Sequence, residues 1–493
     1  MYVGIDCGTQ GTKVVILDSE KGQLIGEGYS AHELISLANG RREQEVSWWT
    51  DALIAAFKTA VSAAGIATSS IKGIGISGQQ HGLVLLNKAG EALRPAKLWC
   101  DTESTAENNE LLEQLGGAQA SLDRLGLVIA PGYTVSKLLW TKRHFPEVFE
   151  QIEHILLPHD YLNYWFTGEC CADYGDASGT GYFDIRSRKW DEALLNHIDD
   201  NSGRLVKALP RLLEAHDAAG VVRPEIAALL GLSDNVQVAS GGGDNMMGAI
   251  GTGNIREGII TMSLGTSGTV YAHSDSPLVS PNAGVAAFCS SANGWLPLIC
   301  TMNLTSASSA VQKLFKLDIA QFNEELAKSP IGAEGVVMLP FLNGERVPSL
   351  PQASASILGL NSLNMTTANL CRAVVEGTTF GLRYGLDLLR EAGLQGDSIR
   401  LIGGGSKSAI WRQIVADTMN AKVVCPVSGE AAALGGAIQA AWCVTGESID
   451  SLCERCVSVD ESSEVTPVAE NVAAYEKAYQ AYREALTKVH GLS

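Results

Sequence analysis

Gly8-Thr9-Gln10-Gly11-Thr12 lies between two strand-like runs, Tyr2–Ile5 and Lys13–Leu17, and about 257 residues downstream the chain repeats the arrangement. There Gly265-Thr266-Ser267-Gly268-Thr269 separates Ile259–Leu264 from Thr269–His273. A strand, a tight Gly/Thr turn and a returning strand found twice predict a duplicated lobe, each half presenting one turn to a shared cleft. Two unrelated hairpins are the plainer alternative, because Gly-Thr turns are common. The boundary falls near residue 250, where Gly248–Asn254 (GAIGTGN) supplies glycines compatible with a hinge.

Further strand-like runs, among them Ile71–Ser77, Ala96–Cys100, Val236–Ala239, Ile399–Ile402 and Lys422–Cys425, alternate with helical patterns such as Trp48–Ala64, Thr366–Ala392 and Glu470–Val489. That alternation predicts an α/β protein. The 493 residues are enough for two or three domains. With 46% hydrophobic and only 18% charged residues, they can bury large cores. Against 54 Asp and Glu stand 36 Lys and Arg, a net charge of −18 that argues against nonspecific binding to nucleic acid or to an anionic membrane.

MYVGIDCGTQ has no basic start and reaches Asp6 too early for a secretory signal, and no apolar run approaches membrane-spanning length. Eleven scattered cysteines read as reduced thiols in a cytoplasmic protein. Cys453 and Cys456 form a C-x-x-C without a second pair, so a metal site is not expected there.

Four clusters carry chemistry. In Asp6–Lys13 an acid precedes a turn that offers backbone N–H groups, the Thr9 and Thr12 hydroxyls and the Lys13 ammonium to an anion. Asp6 would repel a bare phosphate, so the set makes sense with a divalent cation such as Mg²⁺ between them. In Gly241-Gly242-Gly243-Asp244-Asn245, three glycines permit close approach, and Asp244 could accept the proton of an attacking alcohol. The alternative role for Asp244 is capping the next helix. Gln79, Gln80 and His81 follow one strand and Asp101 another, a set suited to reading polyol hydroxyls. Gly403-Gly404-Gly405-Ser406 permits flat contact with a base or ribose. No complete dinucleotide fingerprint or P-loop occurs, which disfavours a dehydrogenase and a P-loop enzyme.

Taken together these segments resemble the FGGY family of carbohydrate kinases. The match runs through Tyr2–Lys13, Trp48–Trp49, Gly78–Gly82, Leu98–Asp101, Leu157–Tyr161, Gly241–Asn245, Ser263–Gly268 and Pro340–Pro348. Gly132–Trp140 is similar to the first family signature, and Gly403–Asp417 with Ala433–Ala437 to the second. The resemblance implies two ribonuclease H-like lobes of the actin-like ATPase kind flanking a catalytic cleft. Residues 1–247 would bind sugar and 248–493 nucleotide. It implies ATP-dependent phosphorylation of a ketopentose, D-xylulose first, with D-ribulose, L-xylulose, pentitols or a non-kinase ATPase as alternatives. On matching positions Asp244 would be the general base and Asp6 would organise Mg²⁺. Thr9, Gln10, Thr12, Lys13, Gly265 and Thr266 would cradle phosphates, and Gly404, Gly405 and Ser406 would border the adenosine. Gln80, His81, Asp101, Asp244 and Asn245 would hold the sugar. Its partners would be the sugar and ATP, with a homodimer left open.

Overall fold

A computed structural model describes residues 1–282 and 284–492. Two mixed sheets dominate it. The first orders its strands as Gln23–Ala31, Gly11–Asp18, Tyr2–Cys7, Gly73–Gly78, Gln237–Ala239 and Ala218–Val221, with Gly242–Gly243 also paired to Gly73–Gly78. The second runs Trp295–Thr301, Gly268–Ala272, Gly258–Leu264, Gly396–Ile402, Lys422–Pro426 and Val459–Val465, extended at one edge by Ala286–Cys289.

Read along those orders, both sheets pair antiparallel, antiparallel, parallel, parallel, antiparallel. The duplication inferred from two pentapeptides therefore extends over six strands of each half. The α/β class follows from layering: the central strands are buried on both faces, so Tyr2–Cys7 reads as an almost unbroken apolar run.

Helices cover these sheets. Val46–Ala64 turns Trp49, Leu53, Ala56, Phe57 and Ala60 onto the first sheet at helical spacing and ends at Gly65, whose φ of 62° lets the last carbonyls be capped. Trp49 is fully buried, so its loss would cost about 3–5 kcal/mol. The second core holds Phe380 of the helix Thr367–Glu391 against Tyr475, Tyr479 and Tyr482. The C-terminal helix Ala469–His490 thus docks on the second lobe.

The other face of the first sheet is covered from the far half of the chain. Helix Ala431–Thr445 sets Ala433, Leu434, Ala437 and Ile438 against Tyr2, Val15 and Leu17, and against Met247 and Ile250 of the helix Asp244–Gly251. This packing holds the first part of the segment 248–254 in a helix. Gly248 and Gly251 lie buried in that helix, and a Cβ on Gly251 would collide with the Ala431 carbonyl. Gly251 is small because two helices cross there, and Gly248 because the Tyr271 hydroxyl stands 2.8 Å from where a Cβ would be. Cys453 and Cys456 are buried in the same apolar cluster.

Among the described residues, no helix is long and apolar enough to cross a membrane.

Candidate active site

Asp6 stands on the fifth residue of the strand Tyr2–Cys7, beside Ser77 on one neighbour and Lys13 on the other. Ser77 Oγ donates to its Oδ1 at 2.8 Å, while Oδ2 takes no hydrogen bond from a described residue. Burial lifts the Asp6 carboxyl above its ordinary range, opposed by the Ser77 bond and by Lys13. Lys13 in turn pairs with Glu430 at 2.6 Å.

The turn that follows is held from behind. Thr9 Oγ1 donates to Gln79 Oε1 at 2.9 Å and accepts from Trp99 Nε1 at 3.0 Å. Gln44 Nε2 donates to the Thr9 carbonyl at 2.8 Å, and Gln44 Oε1 accepts from the buried Trp49 Nε1 and from Gln79 Nε2. The Thr9 hydroxyl proton is thus engaged by Gln79, and the hydroxyl helps to hold the turn. The amides of Thr9 and Gln10 find no acceptor among the described residues, which leaves backbone donors for an anion.

Thr12 departs from expectation: it pairs with Cys7, on the face opposite Asp6 and Lys13, and its buried hydroxyl bonds His32 Nε2 at 2.8 Å. Strand alternation carries it into the core.

In the second lobe the carbonyls of Gly265 and Thr266 accept from the amides of Leu304, Thr305 and Ser306. Thr266 itself is exposed. Thr269, which the sequence reading passed over, pairs with Ser263 and Cys300 on one half-buried face of the sheet. Gly404 opens a short 3-10 turn, and a Cβ there would meet nothing within 4 Å. Ser406 Oγ donates to the Gly403 carbonyl at 2.7 Å.

Asp244 is the first residue of the helix Asp244–Gly251, fixed after the Gly242–Gly243 pairing with the strand that carries Ser77. Its Oδ1 accepts from the Asn245 amide at 2.7 Å and from Asn245 Nδ2 at 3.0 Å, and Oδ2 takes no hydrogen bond from a described residue. Burial, then the Asp6 and Asp176 charges, push this carboxyl up to about 7. A carboxyl with that affinity for protons is suited to accepting one near neutral pH. Asn245 Nδ2 also donates to Gln80 Oε1 at 2.9 Å.

His81 sits beside this group with φ of 64°, unusual for a residue with a side chain. Lys137 Nζ and Thr134 Oγ1 both donate to its carbonyl, at 2.7 and 3.2 Å, and hold that backbone in place. Its ring lies 4.8 Å from the Tyr133 ring. Burial, then the Lys137 and Arg346 cations, push the imidazole down to about 3, so it is neutral at physiological pH. Burial also takes the Lys137 ammonium down to about 7.

Asp101 is not gathered into this set. Its buried Oδ2 binds Lys97 Nζ and the Arg42 amide, both at 2.8 Å, and Oδ1 accepts from the Glu103 amide. Both oxygens are spent on a structural ion cluster. Among the described residues, Glu43, Asp101 and Glu103 approach as metal ligands would, and Lys97 is the cation that joins them.

Behind Asp244 lies a buried group to which the sequence analysis gave no role. His159 Nδ1 meets Asp176 at 2.6 Å, and Asp160 and Asp173 flank Nε2. Burial pulls His159 down, yet the three carboxylates outweigh it and lift it to about 10. His159 and Asp160 lie inside the Leu157–Tyr161 segment that matched the family pattern, whereas Asp173 and Asp176 come from a separate segment.

Two family models match the chain: the N-terminal domain of the FGGY family of carbohydrate kinases over residues 1–251, and its C-terminal domain over 260–444. A xylulose kinase of Haemophilus influenzae is 53% identical, with 99% of this chain and all of the relative covered. Among solved structures, a xyloylose kinase from Brucella ovis superposes with a TM-score of 0.92 at 32% identity, both chains fully covered. A xylulose kinase from Bifidobacterium adolescentis gives 0.84 at 30%, covering 97% of this chain and 99% of its own.

Proposed function

Because the chain belongs to the FGGY family of carbohydrate kinases, we propose that its acceptor is D-xylulose and that Asp244 is the general base. The chain is a carbohydrate kinase, a transferase of phosphoryl groups from a nucleoside triphosphate to an alcohol. The observation that carries the assignment to Asp244 is its geometry: one oxygen clamped by Asn245, the other open, and a proton affinity near neutrality.

In this reading the 5-hydroxyl of the ketose attacks the γ-phosphorus of ATP in line. The O–H electrons form the new P–O bond, the proton passes to Asp244 Oδ2, and the bond to the ADP oxygen breaks. Asn245 keeps the carboxylate aimed, since both of its N–H groups bind the same oxygen. Gln80, Asn245 and the neutral His81 read the sugar hydroxyls. Backbone amides of the two turns, with Lys13, receive the phosphates.

The open oxygen of Asp6 suits a water-bridged divalent ion. Bound Mg²⁺ would supply neutralisation of the β- and γ-phosphate charge. The open face of Gly404, with Gly405 and Ser406 behind it, would border the adenosine. Residues 1–247 then serve chiefly the sugar and 248–493 the nucleotide. The test is ADP release from MgATP with D-xylulose, L-xylulose, D-ribulose and pentitols. D-xylulose should give the highest kcat/KM; a higher value with another acceptor would reassign the substrate, and release independent of any acceptor would reassign the chemistry.

A further inference from the structure

The segment Pro340–Pro348 matched the family pattern yet received no role above, and it delivers an arginine to the cleft. Glu345 is buried and anchors it. Its carboxylate accepts from the Met302 amide at 2.5 Å, from Asn303 Nδ2 at 3.0 Å and from the Arg346 amide at 2.8 Å. Asn303 Nδ2 also donates to the Gly344 carbonyl at 2.7 Å. The loop is therefore fastened to residues 302–303, which directly precede the amides that bind the Gly265 and Thr266 carbonyls.

From this support Arg346 reaches the other lobe. Its guanidinium carbon stands 5.5 Å from the centre of the Trp99 ring, the same Trp99 that donates to Thr9. It also lies close enough to bias the ionisation of His81, Tyr133 and Cys300. Among the described residues it has no carboxylate within ion-pair distance. Arg346 is an exposed cation whose backbone amide is fixed by the buried Glu345. Its neighbours are His81 of the sugar-side set, Tyr133 packed on the His81 ring, Trp99 behind the first turn, and Cys300.

We propose that Arg346 is a sugar-binding residue supplied by the second lobe, donating hydrogen bonds to hydroxyl or carbonyl oxygens of the ketose held against His81 and Trp99. A guanidinium offers five donors in a planar fork and can bridge two adjacent oxygens. This inference rests on the kinase reading and deepens it. It assigns part of the acceptor's recognition to the lobe otherwise reserved for nucleotide, so the sugar contacts both halves of the protein.

The test compares wild type with Arg346→Gln and Arg346→Lys. Sugar affinity is read without nucleotide by calorimetry and by intrinsic tryptophan fluorescence, and KM for D-xylulose and MgATP is read at steady state. Losing charge-assisted hydrogen bonds should weaken sugar binding and raise its KM roughly 10- to 100-fold, with the KM for MgATP within about twofold and Lys intermediate. Unchanged sugar affinity with a raised KM for MgATP would overturn the proposal in favour of a phosphate contact. No change in either would mark the arginine as a bystander. Sugar-independent ADP release by the wild type would instead sink the kinase reading itself.

Discussion

The two Gly/Thr turns share four of five residues and the same place in matching sheets, yet they close one residue apart. In the first lobe Cys7 pairs with Thr12, so the loop comprises Gly8–Gly11; in the second Leu264 pairs with Gly268, leaving Gly265–Ser267. Strand side chains alternate, so a one-residue slip exchanges the two faces. Thr12 therefore points into the core with Cys7, and Lys13 joins Asp6 on the other face. In the second lobe Thr269 shares a face with Ser263, and Cys300 beside it senses the Asp244 charge. A duplicated framework thus became chemically lopsided: acid and ammonium on one side, neutral hydroxyls on the other.

The two triple-glycine bends diverge in a comparable way. A Cβ on Gly243 would come within 2.7 Å of Gln80, whereas one on Gly404 would meet nothing within 4 Å. The first bend is packed at each of its three glycines; the second is packed against Leu264 at Gly403 and Gly405 and open at Gly404 alone.

The largest effect that sharpens this contrast is expected at the charged lobe. Asp244→Asn should lower kcat by at least roughly 10²-fold while sugar affinity survives. Near-normal turnover would break the asymmetry outright. Next comes Asp6. As pH rises through about 7, kcat/KM should climb, because Asp244 must lose its proton to act. Asp6→Asn removes a negative neighbour, so that midpoint should move to lower pH, and the Mg²⁺ concentration needed for half activity should rise about 10-fold. An unmoved profile and metal titration would detach Asp6 from both roles.

The glycine pair predicts a smaller, divided outcome. Gly404→Ala should raise the KM for MgATP several-fold with unchanged thermal stability. Gly243→Ala should lower stability by about 1–3 kcal/mol through overpacking. The threonines come last. Thr269→Val should weaken kcat/KM for MgATP by roughly 2- to 10-fold, the worth of one hydrogen bond, whereas Thr12→Val should cost about 1 kcal/mol of stability and leave kinetics alone. Swapped results would mean the register slip has no functional meaning.

Much of this was legible beforehand. The repeated pentapeptide and the β-branched runs announced two lobes, and the acid after three glycines marked Asp244 as the candidate that the Asp244→Asn variant tests. The misreadings share a physical cause. Whether Thr12 or Thr269 faces the cleft depends on cross-strand register, which a one-residue difference in loop closure decides. Asp101 looked free because its partner Lys97, four residues earlier, gave no hint that it would be buried. Lys137 and Arg346 stood inside motifs already marked, but what a side chain grips across dozens of residues is set by tertiary packing. The glycines at 248 and 251 suggested freedom, whereas both are packed, one against Tyr271 and the other against the crossing helix at Ala431.

Helix Ala431–Thr445 lies across the first sheet although it is made long after that sheet's strands. A ribosome adding about 5–20 residues per second needs roughly 10–40 s to travel from the end of the first half to this segment. Throughout that interval Tyr2, Val15 and Leu17 have no native cover, so the nascent protein must be shielded by other factors or stay unfinished. Synthesised alone, residues 1–251 should collect in inclusion bodies and be rescued by co-producing the remainder.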